Sequence, residues 1–149
     1  RCGMVQDLPA AREYDSAIYI DVLEHIDDDR GELERVATRV RPGGRIIVLA
    51  PAYQFLYSPF DAAIGHYRRY SRVSLAAVSP GDSRILWMGY LDSVGVVLSA
   101  ANKMLLRKEC PEARQILFWD RVVVPMSRCI DVCVGFRFGR SVLGVFEID

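Results

Sequence analysis

The chain has 149 residues, which is enough for one domain with a substantial hydrophobic core. Hydrophobic residues make up 51% of it and charged residues 26%, a balance that excludes a disordered chain. Its formal net charge is +0, which argues against nucleic acid as the default partner because phosphate binding needs a basic surface.

Three further features bear on location, metal content and completeness. No uncharged apolar run approaches the roughly 18 residues that a membrane-spanning helix needs, so we predict no transmembrane segment and expect a cytoplasmic protein. The four cysteines form no CxxC pair and show no zinc-finger spacing. The sequence begins at Arg1 rather than at Met, and we expect it to be a fragment that lacks an amino-terminal portion.

The first predicted elements make a βαβ unit. Tyr14 to Asp21 is a mostly apolar run bounded by acids, which predicts a buried strand. Asp29 and Glu32 have the spacing of a capping box and predict the start of an amphipathic helix. Pro42-Gly43-Gly44 predicts the end of that helix, and Arg45 to Ala50 predicts a second buried strand. We expect the two strands to be parallel, with a right-handed crossover.

A long aromatic segment, Ala52 to Arg72, follows the second strand. A loop of this length is uncommon in a compact domain unless it has a function. Because it follows the carboxyl end of a strand, we predict a lid or a substrate wall; the alternative is an ordinary packed connection. Arg68, Arg69 and Arg72 suit either a clamp for an anionic group or salt bridges to the acidic run Asp27 to Asp29.

The rest of the chain predicts further strands around an apolar helical region. Ser74 to Val78 predicts a helical turn, Arg84 to Leu91 a strand, and Val142 to Ile148 a closing strand. We expect a single domain over residues 1–149, with an apolar helical insertion at about 93–135 and one helix beginning near Pro111. The insertion suits a core, and also a dimer face or a pocket for a lipid-like acceptor.

Several motifs, taken in order, carry a resemblance to a known family. They are Asp21-Val22-Leu23-Glu24-His25-Ile26, Arg41-Pro42-Gly43-Gly44 before the strand RIIVLAP, and Gly139-Arg140-Ser141-Val142-Leu143. Their order resembles a class I S-adenosylmethionine-dependent methyltransferase, and the segment GHYRRYS is similar to that of a bacterial type 11/12-like subgroup. The resemblance implies an α/β fold, a Rossmann-like methyltransferase sheet with helices on both faces and an antiparallel closing strand. The family's first strands and glycine-rich loop have no counterpart in this sequence.

The resemblance also implies a cofactor and a reaction. The cofactor is S-adenosylmethionine, and the methyl group passes to an oxygen, nitrogen or carbon atom of a small-molecule or lipid-linked acceptor. By resemblance, Met4 and Val5 lie beside the adenine ring, and Ile20 packs near the sulfonium end of the cofactor. Asp21, the next residue, completes the set of expected cofactor-binding positions.

An acidic and histidine-containing cluster stands where the first strand ends. Asp21, Glu24 and His25 fall within one short run, and such groups can bind a divalent cation or supply a general base. The small-RNA 2′-hydroxyl methyltransferases are similar here, and that resemblance implies His66 as a further ligand. We predict His25, Glu24 and His66 as catalytic residues, with His25 nearest the acceptor. The predicted metal ligands are Asp21, Glu24, His25 and His66.

Other interpretations of these residues and of the whole chain stay open. Glu24 is also suited to cap the next turn or to pair with an arginine, and His66 is also suited to a structural hydrogen-bonded cluster with residues 67–70. The chain as a whole is also suited to a non-catalytic binding or scaffold module that completes its sheet by oligomerisation, for example as a homodimer, because an exposed edge strand invites pairing. A dehydrogenase is disfavoured, since the sequence contains no GxGxxG loop.

Overall fold

The computed structural model describes residues 5–8, 13–101 and 117–149, and within them the strands form one mixed sheet. The strands are β1 (Tyr14–Ile20), β2 (Val40–Pro51), β3 (Ser83–Leu91) and β4 (Ser141–Ile148), in the spatial order β1-β2-β4-β3. The helices are α1 (Asp29–Ala37), α2 (Pro59–Ala63), α3 (Arg72–Ala77), α4 (Ser93–Ala101) and α5 (Val124–Cys133). β1 and β2 are parallel, and β4 is antiparallel to β2 and β3. The predicted α/β class with an antiparallel closing strand is confirmed.

Helix α1 makes the crossover between β1 and β2. Its N-cap is Asp28, whose carboxylate accepts a 3.0 Å hydrogen bond from the backbone N–H of Gly31. The prediction of Asp29 as the cap is wrong by one residue. The Asp29 side chain is buried; its Oδ2 accepts a hydrogen bond from the Tyr70 hydroxyl, and its Oδ1 accepts one from the backbone N–H of Arg30.

The Pro42-Gly43-Gly44 turn lies inside β2 and does not end α1, which stops at Ala37. The register between β1 and β2 shifts between Tyr14 and Ser16, which accommodates the turn as a bulge. Glycine is needed here because Gly43 has a φ of 75° and a Cβ on Gly44 would lie 2.8 Å from the carbonyl oxygen of Asp15. The turn therefore shapes the start of the strand, which corrects the prediction that it terminates the helix.

The two faces of the sheet differ in burial. Alternate residues of β2 and β4 are buried, and they pack with α1 and α3 in one core. The buried residues of this sheet face include Tyr19, Ile46, Val48, Ala50, Tyr90, Val142, Phe146 and Ile148. Side chains of the opposite face are more exposed, and Ile18 and Ile20 of β1 are 60% and 59% exposed.

The carboxyl-terminal helices pack together beside β3. Helix α5 contacts β3, and the Phe136 ring that follows α5 lies edge-on to Trp87 with ring centroids 5.5 Å apart. A π-helical turn (Trp119–Val123) precedes Pro125, which cannot donate the usual helical hydrogen bond. None of the helices in the described ranges is long and apolar enough to cross a membrane. The helix predicted near Pro111 lies outside the described residues, and the insertion at about 93–135 stays a prediction.

Candidate functional site

The acidic motif after β1 lies at the carboxyl edge of the parallel strand pair. Asp21 turns the chain with a φ of 50°, and its N–H donates to the Leu49 carbonyl of β2 at 2.9 Å. A 3-10 turn then carries Leu23–His25, and the fully buried Leu23 side chain anchors this turn to the core. Open α/β sheets bind their ligands at this edge.

The long connection after β2 returns to the same turn. Ala52 forms an isolated parallel bridge with Tyr70, which closes the connection at its base. The N–H of Tyr67 donates to the backbone carbonyl of Glu24 at 2.8 Å. These bonds place His66 beside Glu24, although the two residues are far apart in the sequence.

The Glu24 carboxylate is the most unusual group of the site. Its side chain is 0% exposed, and neither oxygen has a hydrogen-bond partner among the residues that the structure describes. Burial raises the pKa of the Glu24 carboxyl above its ordinary value, and the nearby Asp21 carboxylate adds to the shift. In the described part of the chain no arginine forms a hydrogen bond or an ion pair with the Glu24 carboxylate, so the interpretation that Glu24 pairs with an arginine is not supported. A buried carboxylate normally has a partner, which makes Glu24 unusual.

The His66 imidazole lies between two carboxylates. Its Nδ1 is 2.9 Å from Oδ1 of Asp61, and its Nε2 is 3.8 Å from Oε1 of Glu24. The His25 ring lies edge-on to the His66 ring, with centroids 4.5 Å apart and an interplanar angle of 78°. The side chain of His66 is only 9% exposed, whereas His25 is exposed to solvent.

The Asp61 carboxylate fixes the orientation of His66. Arg69 donates to both oxygens, from Nε to Oδ1 and from Nη2 to Oδ2, each at 3.0 Å. The Ser58 backbone N–H and hydroxyl also donate to Oδ2, at 2.8 and 2.7 Å. Although burial acts to raise it, the hydrogen bonds from Arg69 and Ser58 hold the pKa of the Asp61 carboxyl below its ordinary value. An ionised Asp61 requires a donor, so the proton of a neutral His66 is on Nδ1 and its lone pair is on Nε2.

Asp61 is a site residue that the sequence motifs do not indicate. Ser58 and Asp61 form a capping box at the start of α2, with Pro59 between them, and that spacing was visible as a helix-start signal. The spacing does not reveal that the same carboxylate also binds His66 and Arg69. That contact depends on how α2 folds back against the end of the connection.

The structure brings three of the four predicted metal ligands together. One ligand atom from each of Glu24, His25 and His66 lies within 4.8 Å of the others, and Asp21 is not in this group. Of the predicted cofactor positions, Ile20 and Asp21 are exposed, and Val5 begins a short 3-10 turn (Val5–Asp7) that packs against the core. Met4 lies outside the described residues.

Comparison with known proteins gives matches in structure. No family model matches the sequence, and no curated protein matches it significantly. A Haloferax volcanii protein described as a methyltransferase, in complex with the methyltransferase activator Trm112, is 15% identical over 98% of this chain, with a TM-score of 0.58. The [4+2]-cyclase SpnF is 15% identical over 99% of it, with a TM-score of 0.56. A Galdieria sulphuraria protein described as a sarcosine dimethylglycine methyltransferase is 14% identical over 97%, with a TM-score of 0.52.

The chain has the fold of class I S-adenosylmethionine-dependent methyltransferases. The resemblance that the sequence motifs predicted is therefore confirmed for the fold. The chain spans 59% of the Haloferax protein, 54% of SpnF and 57% of the Galdieria protein.

Within this methyltransferase fold, the arginines of the connection are held in local contacts. Arg68 pairs with Asp29, with Nη1 to Oδ2 at 2.6 Å, and also contacts Asp27. Arg69 pairs with Asp61, and the Arg72 guanidinium lies 5.5 Å from the centroid of the Tyr90 ring. For Arg68 the structure favours the predicted salt bridges to the run Asp27 to Asp29 over an anion clamp. Arg69 also forms a salt bridge, but with Asp61, which lies outside that run.

Proposed function

We propose that the chain is part of an S-adenosylmethionine-dependent methyltransferase in which Glu24, His25 and His66 lie beside the acceptor. The observation that carries the proposal is the position of this cluster at the carboxyl edge of the β1–β2 pair within a methyltransferase fold. The structural neighbours support methyl transfer in general terms. A fold does not fix a reaction, and SpnF is described as a cyclase, so the assignment depends on the site residues.

The cluster contains groups that methyl transfer can use. The reaction needs an acceptor lone pair held in line with the methyl group, and a hydroxyl acceptor must also lose its proton. We assign His25 as the group nearest the acceptor because its side chain is exposed at the site. His66, with Nδ1 directed at Asp61, lies against the His25 ring and directs its Nε2 lone pair into the cluster.

Ile20 and Asp21 fit one wall of a cofactor site. The apolar side chain of Ile20 is 59% exposed at the end of β1, and Asp21 is exposed next to it. An apolar side chain beside a carboxylate suits a cofactor that carries both an aromatic ring and hydroxyl or ammonium groups. When bound, S-adenosylmethionine supplies an electrophilic methyl group. Contacts of Val5 and Met4 with its adenine ring are part of the proposal.

We further propose a small-molecule or lipid-linked acceptor. The carboxyl-terminal helical region exposes large apolar side chains: Phe118, Val122, Met126 and Ile130 are between 36% and 53% exposed. Such side chains can contact the apolar part of an acceptor. The formal net charge of +0 does not favour a nucleic-acid acceptor.

Calorimetric titration with S-adenosylmethionine and S-adenosylhomocysteine tests the proposed function. The titration is run on this chain and on an amino-terminally extended form of the natural protein, since the chain spans little more than half of its structural neighbours. Binding by either protein supports the proposal, and binding by neither overturns it. In the protein that binds, His25→Ala should leave the affinity for S-adenosylhomocysteine unchanged, because His25 is assigned to the acceptor and not to the cofactor.

A second candidate function is a binding module that completes its sheet with another chain. β1 is an edge strand in the described part of the sheet, and its Ile18 and Ile20 side chains are largely exposed. Sedimentation velocity over a concentration series tests this function. A dimer that Ile18→Lys dissociates supports it, provided that Val73→Lys, at an 81% exposed position of α3, leaves the dimer intact. A monomer at every concentration contradicts dimerisation through β1.

A further inference from the structure

We propose that Glu24, His25 and His66 bind one divalent transition-metal cation, and that Asp61 orients His66 for this purpose. The proposal concerns metal binding by this chain and does not depend on methyl transfer.

The unpartnered carboxylate of Glu24 is the first observation. The side chain is 0% exposed, and neither oxygen accepts a hydrogen bond from any residue that the structure describes. A buried carboxylate without a partner is costly, and buried charges are normally paired or bound to a metal. Oε1 of Glu24 lies 3.8 Å from Nε2 of His66, which is too far for a hydrogen bond and leaves space for a cation between the two atoms.

The distances between the three donors come close to those of a coordination sphere. Ligands at about 2.0–2.1 Å from a tetrahedral cation lie roughly 3.4 Å from each other. The Glu24–His66 pair, at 3.8 Å, needs only a small movement to reach this separation, and the three donor atoms all lie within 4.8 Å of one another. His25 is exposed, so its side chain can rotate to close the remaining gap.

Asp61 supplies the outer support that metal-binding histidines usually have. A ligating imidazole generally donates its second N–H to a carboxylate or carbonyl, which fixes the tautomer and directs the free lone pair. Here His66 Nδ1 is 2.9 Å from Asp61, and Asp61 is held in turn by Arg69 and Ser58. The Nε2 lone pair therefore faces the Glu24 carboxylate.

The donor set indicates the class of metal. Two imidazoles and one carboxylate suit Zn²⁺, Co²⁺, Fe²⁺ or Mn²⁺, whereas Mg²⁺ and Ca²⁺ prefer oxygen ligands throughout. Three protein ligands leave at least one position open for water or another oxygen ligand. The exposed side of His25 provides the route by which a cation enters from solvent.

The experiment uses the tag-free chain, treated with a chelator and dialysed. Zn²⁺ is titrated by calorimetry, and Co²⁺ is titrated by visible absorption, which reports the ligand field. We expect one cation per chain for both metals, with no displacement by Mg²⁺ in large excess. Failure of both Zn²⁺ and Co²⁺ to bind would overturn the proposal.

Variants then locate the bound cation. His25→Ala, His66→Ala and Glu24→Gln should each lower the affinity for Zn²⁺ at least tenfold, and Asp61→Asn should lower it by about 10- to 100-fold. His25→Ala is the decisive variant because His25 is exposed and its loss does not disturb the core. Unchanged Zn²⁺ affinity in a folded His25→Ala chain, verified by circular dichroism, would contradict the site.

A cysteine-free variant is the matched control. Cys129 and Cys133 are free and exposed on α5, and thiolates are alternative ligands for Zn²⁺. A chain with all four cysteines replaced by serine should bind Zn²⁺ and Co²⁺ as the natural chain does. Loss of binding in this variant would assign the cation to cysteine and overturn the proposed site.

Discussion

The Tyr70 hydroxyl donates a 2.7 Å hydrogen bond to Oδ2 of Asp29. Both side chains are buried, and Nη1 of Arg68 contacts the same carboxylate oxygen at 2.6 Å. The bond ties the end of the long connection to the first residue of α1. Since that connection also carries His66, the bond helps to hold His66 against the turn that carries Glu24.

Tyr70→Phe should therefore destabilise the chain. The substitution keeps the ring and removes a buried hydrogen bond to a charged group, which is worth about 1.5–3 kcal/mol. Urea unfolding followed by circular dichroism should show a lower midpoint with an unchanged slope. Tyr67→Phe, at a ring that is 55% exposed, is the control and should leave the midpoint unchanged. Equal midpoints for the two variants would contradict the role assigned to Tyr70.

Arg69 and Arg41 form ion pairs in contrasting environments, and their removal should differ in effect. Arg69 and Asp61 are 12% and 1% exposed, whereas Arg41 and Asp15 are 61% and 79% exposed. Arg69→Gln leaves a buried carboxylate without its main partner and should cost about 3 kcal/mol. Arg41→Gln should cost less than about 1 kcal/mol, since exposed pairs contribute little. Denaturant unfolding of both variants measures the difference, and a similar loss in both would refute it.

The strands were the most predictable part of the fold. The predicted strand from Tyr14 and the one ending at Leu91 match β1 and β3 to within a residue, because alternation and apolar runs are local signals. The predictions for the helix cap and for the Pro42-Gly43-Gly44 turn were wrong, because tertiary contacts determine both features. The Asp29 carboxylate accepts a hydrogen bond from the Tyr70 hydroxyl, and the turn forms a bulge in β2 where it pairs with β1.

The site was predictable where it follows from the sheet. Residues after β1 must lie at the edge where β2 also ends, so the sequence places Glu24 and His25 there, and the structure brings His66 to them. The burial of Glu24 and the contact between Asp61 and His66 were not predictable. The first depends on how the connection after β2 packs against the turn after β1, and the second on how the chain turns between α2 and His66.

Alkaline pH should destabilise the chain through buried tyrosines. Burial, and then the neighbouring Glu32 carboxylate, raise the pKa of Tyr19 above its ordinary value; burial and Asp29 do the same for Tyr70. An unfolded tyrosine ionises near pH 10, whereas these two stay protonated in the folded chain. The free energy of unfolding should therefore be unaffected by these groups below about pH 10 and fall above it.

Urea unfolding between pH 8 and pH 11 measures this effect. Tyr19→Phe removes one of the two groups, so its free energy of unfolding should fall less steeply above about pH 10 than that of the natural chain. Tyr14→Phe, at a partly exposed position, serves as the control and should keep the natural slope. A Tyr19→Phe slope equal to that of the natural chain would show that Tyr19 ionises normally.

Asp131 should control the junction between β3 and α4. Its buried carboxylate accepts hydrogen bonds from the backbone N–H groups of Asp92 and Ser93, each at 2.9 Å, where Asp92 turns the chain with a φ of 64°. Asp131→Ala removes the acceptor of two N–H groups, one of them on the buried Ser93, and should cost about 2 kcal/mol. Asp120→Ala, at an exposed position of the π-helical turn, is the matched control.

Hydrogen exchange distinguishes this role from a general loss of stability. In Asp131→Ala the amides of Asp92 and Ser93 should exchange faster than in the natural chain even under strongly stabilising conditions, because their acceptor is gone. The amides of β1 and β2 should be affected only as far as the global stability falls. If the amides at 92 and 93 kept their protection, the junction would be held by the neighbouring Ser127 contacts with Asp92 and Val94, and Asp131 would be dispensable there.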